Sequence, residues 1–129
     1  MLLKRLYLTG GGDMQNVNLP FDDESFEIIT LLAVLEHLHH PIDMLNEIKR
    51  VLVPHGILLL TVPSHAAKPV LEFLSYKLHI ISKEEILDHK RYYNKKDIVN
   101  SLSQVNGLKL LTHHYFQCGM NNFAKIIKE

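Results

Sequence analysis

The side chains best suited to chemistry in this chain of 129 residues gather in two places. The first is Glu36-His37, with His39 and His40 just beyond, after the apolar run Phe26-Glu27-Ile28-Ile29-Thr30-Leu31-Leu32. An imidazole titrates near neutral pH, so His37 can take a proton from a hydroxyl or amine nucleophile. It can equally cap a helix or fill space. The histidine cluster also raises the question of zinc. Zinc sites want His at i and i+4 on a helix, or Cys-rich spacing, and this cluster has neither, so no metal site is expected. The second place is His89, Arg91, Tyr92 and Tyr93. There Arg91 can grip a carboxylate or phosphate, or the loop simply packs its aromatic rings on a sheet edge. Cys118 is the only cysteine, which excludes an intramolecular disulfide and a CxxC metal site. His113, His114 and Cys118 read as strand-face or turn residues, and Asp22-Asp23-Glu24 as a solvated turn. No Ser-His-Asp or Cys-His arrangement argues for hydrolysis.

These residues need elements to hold them. Residues 6–9 can form a short strand that ends at Gly10-Gly11-Gly12, and Pro20 marks an extended stretch. The run 26–32 is mostly apolar and β-branched, as in a parallel-sheet strand buried on both faces. Residues 41–52 read as a helix with Pro41 in its first turn. Ile42, Leu45, Ile48 and Leu52 fall on one face with Val51 beside them. Pro54-His55-Gly56 breaks that helix, and 57–62 is a second buried strand ended by Pro63. Strand, helix and strand in about forty residues make a βαβ unit with a right-handed crossover. Residues 66–81 read as an irregular helix with Leu71, Phe73, Leu74 and Leu78 apolar. Residues 83–93 read as a surface loop. Asn94 caps a helix through Gln104 with Ile98, Val99 and Leu102 inward. Residues 108–116 and 123–127 form an antiparallel hairpin.

Composition sets limits. The length suits one domain spanning 1–129. Lys plus Arg and Asp plus Glu are both 14, so no global field draws the chain to nucleic acid or an acidic membrane. Nine histidines make the charge rise steeply below about pH 6.5. The first eight residues are too short and too charged for a signal peptide or a membrane span. One cysteine fits a reducing compartment, and the expectation is a cytoplasmic protein.

The wording of 19–64 is specific in its order: Leu19-Pro20-Phe21, Ser25-Phe26-Glu27, Leu35-Glu36-His37 and Arg50-Val51-Leu52-Val53-Pro54-His55-Gly56. With His89-Lys90-Arg91-Tyr92-Tyr93, Asp97-Ile98 and Asn106-Gly107-Leu108, it resembles the class I S-adenosylmethionine-dependent methyltransferases, more narrowly methyltransferase type 11. The resemblance implies a three-layer α/β Rossmann-like sheet, mostly parallel with a C-terminal antiparallel hairpin. It also implies methyl transfer from S-adenosylmethionine to a small-molecule acceptor. By the same resemblance Asp13 accepts a hydrogen bond from the adenine amino group and Met14 packs on its ring. Leu32 and Ala33 then line the methionine and sulfonium end. His89, Arg91 and Tyr92 fall where the family builds its acceptor side, and His37 is the weak candidate for a base. Glu27 stands for the family's Asp, and His55 for the first Gly of its Pro-Gly-Gly turn.

The chain departs from the family at its start. The family's first two strands, with the Gly-rich loop that cradles the cofactor, have no counterpart, since Gly10-Gly11-Gly12 lacks the spacing. The expectation is therefore a truncated domain whose strand 26–32 has a bare apolar edge. A homodimer would cover that edge, or a monomer would fold its N-terminal segment back into the gap. The alternatives to an enzyme are a non-catalytic remnant, an interaction module, or one half of a split enzyme.

Overall fold

A computed structural model of the protein describes residues 4–9, 18–73 and 92–129. Five strands form one sheet: β1 (Arg5–Thr9), β2 (Phe26–Leu32), β3 (Leu52–Pro63), β4 (Leu108–Phe116) and β5 (Asn121–Lys128). Their order across the sheet is β1-β2-β3-β5-β4. Helix α1 (Pro41–Val51) joins β2 to β3, and α2 (Ala67–Phe73) and α3 (Lys95–Ser103) lie between β3 and β4. β1, β2 and β3 are parallel, and β5 runs antiparallel to both β3 and β4. Four strands thus point one way and β5 alone runs back. The architecture is α/β and Rossmann-like, with the βαβ unit and the closing hairpin where the sequence places them.

The core lies on one face of this sheet. Ile29 and Leu31 of β2 stand in register with Leu58 and Leu60 of β3, which in turn face Ile126 and Ala124 of β5. All six are buried. Met44, Leu45, Ile48 and Val51 of α1 and Ile98 and Leu102 of α3 complete the same cluster. Burying each such aliphatic side chain contributes about 2 kcal/mol. The connections β2–α1–β3 and β3–α3–β4 step the same way across the sheet, so right-handed crossovers put both helices on that face.

Several expectations shift in detail. The inward face of α1 is Met44, Leu45, Ile48 and Val51; Ile42 is half-buried and Leu52 already belongs to β3. In α3, Ile98 and Leu102 are buried but Val99 is exposed, because one residue turns the helix by about 100° and carries Val99 off the face. β2 and β3 are not buried on both faces. Ile28, Ile57, Leu59 and Thr61 are half-buried, and Leu32 and Tyr7 are exposed. Pro54-His55-Gly56 does not precede the strand; it is a bulge within β3. Phe26 pairs with Leu52 and Ile28 with Ile57, so the extra residues loop out between them. His55 has φ +65°, a conformation costing a non-glycine residue about 1–2 kcal/mol. A Cβ on Gly56 would meet the Val53 carbonyl oxygen at 2.8 Å.

The edge of β2 is not bare. β1 pairs along it in parallel, from Arg5 opposite Ile28 to Thr9 opposite Leu32. Glu27 fixes this arrangement: its backbone N–H donates to the Lys4 carbonyl at 3.0 Å, and its carboxylate accepts the Lys4 N–H at 2.5 Å. β1 thus covers that side of β2, and among the described residues its outer side is the edge of the sheet. Gly10-Gly11-Gly12, Leu74, Leu78 and the loop 83–91 lie outside the described residues.

Candidate functional site

In an open parallel sheet, ligands bind beyond the carboxyl ends of the strands, where loops leave for the helices. Leu32 and Ala33 occupy that position at the end of β2. Leu32 is 39% exposed and pairs with Thr9 on one side and Thr61 on the other. Ala33 takes φ +54°, the left-handed region. Its N–H is held at 3.1 Å from the Thr61 carbonyl and 3.2 Å from the Thr61 hydroxyl. A strained residue of this kind persists only where its surroundings fix it, and such residues concentrate at ligand sites. The predicted pair Leu32 and Ala33 is therefore presented at the rim. Asp13 and Met14 lie outside the described residues.

His37 ends the short 3-10 turn Leu35–His37. Glu36 beside it is buried, and its carboxylate lies 4.0 Å from the His37 ring. Val34 and Leu35 on the same turn are also buried, so the turn packs into the core.

A cleft of about 580 Å³ opens at the same rim, within the size range of small-molecule sites. Its walls include His39, His40 and Asp43 at the start of α1, His65 after β3, and Tyr92 and Asp97 at the entry to α3. Of the predicted acceptor residues, Tyr92 is here; His89 and Arg91 lie outside the described residues. Leu32, Ala33 and His37 do not line this cleft. Among the described residues no three metal-binding side chains come together.

Asp97 enters the sequence reading only through the Asp97-Ile98 resemblance, and nothing there links it to His65, 32 positions away. The fold joins them: His65 Nε2 lies 2.9 Å from Asp97 Oδ2. That carboxylate oxygen also accepts the Asn94 N–H at 2.9 Å, as the third-residue acid of a helix capping box. The Asn94 contact and then His65 hold the Asp97 carboxyl below its usual range, so it is ionised at neutral pH. The Asn94 side-chain oxygen in turn accepts the His65 N–H at 3.2 Å. Behind this pair, Asn122 is fully buried. Its Nδ2 donates to the Tyr93 carbonyl at 2.5 Å and the Val62 carbonyl at 3.2 Å, and its Oδ1 lies 2.6 Å from His113 Nε2. Asn122 thereby clips the segment entering α3 to the sheet.

The opposite end of the sheet is built differently. Arg50 donates to Glu47 at 2.6 and 3.0 Å, to Asp23 at 2.7 Å, and to the Phe21 and Leu19 carbonyls at 2.9 and 3.1 Å. Glu47 also accepts the Leu19 N–H at 2.9 Å. The Arg50 hydrogen bond holds the Glu47 carboxyl below its ordinary range, against the opposing effect of burial. The Asp22-Asp23-Glu24 turn is therefore not merely solvated: Asp23 reaches Arg50, and the Glu24 N–H donates to the Arg50 carbonyl at 2.9 Å. The bidentate contact with Glu47 is one that a guanidinium makes and an ammonium does not.

Comparison with known proteins agrees with this architecture. A family described as Methyltransferase domain, type 11, matches residues 9–60. A Thermotoga maritima protein described as an S-adenosylmethionine-dependent methyltransferase and possible histamine N-methyltransferase superposes with TM-score 0.64 at 16% identity, over 88% of this chain and 60% of its own. A Bacillus halodurans protein described as a methyltransferase gives 0.64 at 20% identity, over 91% of this chain and 69% of its own. A chain from the complex of the Haloferax volcanii Trm112 methyltransferase activator with a methyltransferase gives 0.69 at 14% identity, over 91% and 59%. The chain has the class I S-adenosylmethionine-dependent methyltransferase fold. It spans about 60% of the first of these methyltransferases. No curated protein sequence matches it.

Within the methyltransferase fold, the most recognisable words of the chain turn out to be structural. Leu19-Pro20-Phe21 and Arg50 meet at the foot of the sheet, away from the strand ends that would face a cofactor. Within the matched stretch, Leu32 and Ala33 at the end of β2 and His39, His40 and Asp43 at the start of α1 reach the rim. No helix among the described residues is long and apolar enough to cross a membrane.

Proposed function

We propose that the protein binds S-adenosylmethionine over the end of β2 and transfers its methyl group to a small-molecule acceptor. The observation that carries this reading is the exposed, left-handed Ala33 at the carboxyl end of β2, inside the stretch that matches the methyltransferase family. Backbone at Leu32 and Ala33 would line the sulfonium end, and Asp13 with Met14 would take the adenine. A methyl on sulfonium is electrophilic, so the protein's part is to align donor and acceptor in line and exclude water. The Thermotoga relative's description makes an amine such as histamine a sensible first acceptor to try. A single cysteine fits the cytoplasm as the compartment. Titration calorimetry tests the reading. Micromolar affinity for S-adenosylmethionine and S-adenosylhomocysteine, lost in Asp13→Ala, supports it; no heat at millimolar ligand overturns it.

A second reading is a fold retained without the cofactor. It draws on β1 taking the place beside β2 where the family's Gly-loop strand stands. The same calorimetry separates the two.

We also propose a homodimer, now through the outer side of β1 rather than through β2. Antiparallel pairing about Tyr7 would set Leu6 opposite the partner copy's Leu8 and continue the sheet across a two-fold axis. Tyr7 is 62% exposed there. Sedimentation equilibrium should give a dimer that Tyr7→Pro converts to monomer, since the parallel register with β2 turns the Tyr7 N–H to the outer edge and proline removes that ladder donor. A wild-type monomer at high concentration would rule the pairing out.

A further inference from the structure

We propose that His65 is the general base for the methyl acceptor, with Asp97 as its positioning residue. The acceptor is then a small polar molecule that attacks through an N–H or O–H. This rests on the methyltransferase reading above and adds the place and chemistry of the second substrate.

The cleft beside the strand ends is of small-molecule size with polar and apolar walls in equal measure, and His65 lines it. A base must be held still as well as present, and the backbone around His65 is tied on several sides. Ser64 is buried; its hydroxyl donates to the Gly119 carbonyl at 2.5 Å, and its N–H donates to the Met120 carbonyl at 2.9 Å. The His65 N–H is fixed by the Asn94 side chain. The ring is then set by Asp97, which is itself fixed by the Asn94 N–H. Because ionised Asp97 can only accept, Nε2 of the neutral ring carries the hydrogen that points to it. Nδ1 is then the proton-accepting atom. The pair has the base-and-orienter order that acid–base sites use, and the carboxylate stabilises the imidazolium that forms.

The step balances without another reactant. A lone pair on the acceptor nitrogen or oxygen forms the bond to the methyl carbon. The carbon–sulfur bond breaks, and its electrons neutralise the sulfonium to a thioether. The proton leaves the acceptor for His65 Nδ1, and water later removes it. His37, the base candidate from sequence, has a side chain that is 41% exposed on the turn after Ala33, but it does not line the cleft.

Two measurements on the full chain test this. In the first, diethyl pyrocarbonate modification is mapped by mass spectrometry. Asp97→Asn keeps an acceptor for the Asn94 N–H but removes the charge. At about pH 8.5, where the imidazoles are neutral and only nucleophilicity differs, it should slow modification of His65 several-fold and leave exposed His55 unchanged. Equal rates in both proteins overturn the dyad and leave the methyltransferase reading untouched. In the second, transfer from S-adenosylmethionine is followed with catechol, which must lose a proton, and with thiophenol, which is already ionised in mild alkali. His65→Gln should lower kcat for catechol by about 100-fold, with KM for the cofactor unchanged and thiophenol spared. Asp97→Asn should give a smaller loss of the same kind. An equal loss for both acceptors, no loss for either, or no turnover by a wild type that binds the cofactor overturns the assignment. Failure to bind the cofactor overturns the methyltransferase reading and the base with it.

Discussion

The two ends of the sheet are built to opposite plans. At the foot, one guanidinium gathers a carboxylate on its own helix and two loop carbonyls, and β2 starts from a turn tied to the end of α1. At the rim, the His65 and Asp97 side chains that meet are about half exposed, above a buried Asn122 that holds the Tyr93 and Val62 carbonyls. The foot is arranged to hold and the rim is arranged to leave groups available. A sequence signature dominated by the foot therefore reports the fold more strongly than it reports the chemistry.

The largest effect expected from breaking this contrast is at Glu47. Its carboxylate serves both Arg50 and the Leu19 N–H, and it is only 15% exposed. Glu47→Ala should lower unfolding free energy by about 2 kcal/mol, because charge-assisted hydrogen bonds go and a half-buried N–H is left unpaired. Cofactor binding at the rim should be unchanged in the folded protein. The effect should also depend on pH with a definite sign. The Glu47 carboxyl is held below its unfolded value of 4.5. The wild-type advantage is then full above that pH and shrinks as pH falls through the lower folded value. Urea melts of both proteins across that range check it. A constant gap would show that packing, not the ion pair, carries the difference.

A smaller effect, of opposite sign, is expected at His55. It holds φ +65° where the resembled family has glycine. His55→Gly should raise stability by about 1 kcal/mol. Unchanged or lower stability in thermal melts would mean that the imidazole makes a compensating contact.

The sequence carried the order of elements well, because each rests on local periodicity. Pro41 at the start of α1, the apolar spacing of Leu45 and Ile48, and the turn between β4 and β5 are all short-range signals. It carried the ends of α1 and β3 less well. Leu52 fits the helical face by spacing, yet it pairs with Phe26 as strand, and a bulge absorbs Pro54-His55-Gly56. Two features were out of reach. Glu27 anchors Lys4 across 23 positions, where the β1–β2 ladder begins. His65 meets Asp97 only because β3 ends beside the cap of α3. Neither has a period or a motif, and a polar pair made by tertiary packing leaves no trace in spacing. Within the candidate site, Leu32, Ala33 and Tyr92 were legible through family resemblance, and the histidine–aspartate pair was not.

The most direct test is an NMR titration of the isotopically labelled protein with S-adenosylhomocysteine. The account predicts saturable shifts at the Leu32, Ala33 and Thr61 amides, with the Phe21, Ser25 and Arg50 amides unmoved. Shifts centred on the Arg50 clamp, or none at the end of β2 at millimolar ligand, would contradict it.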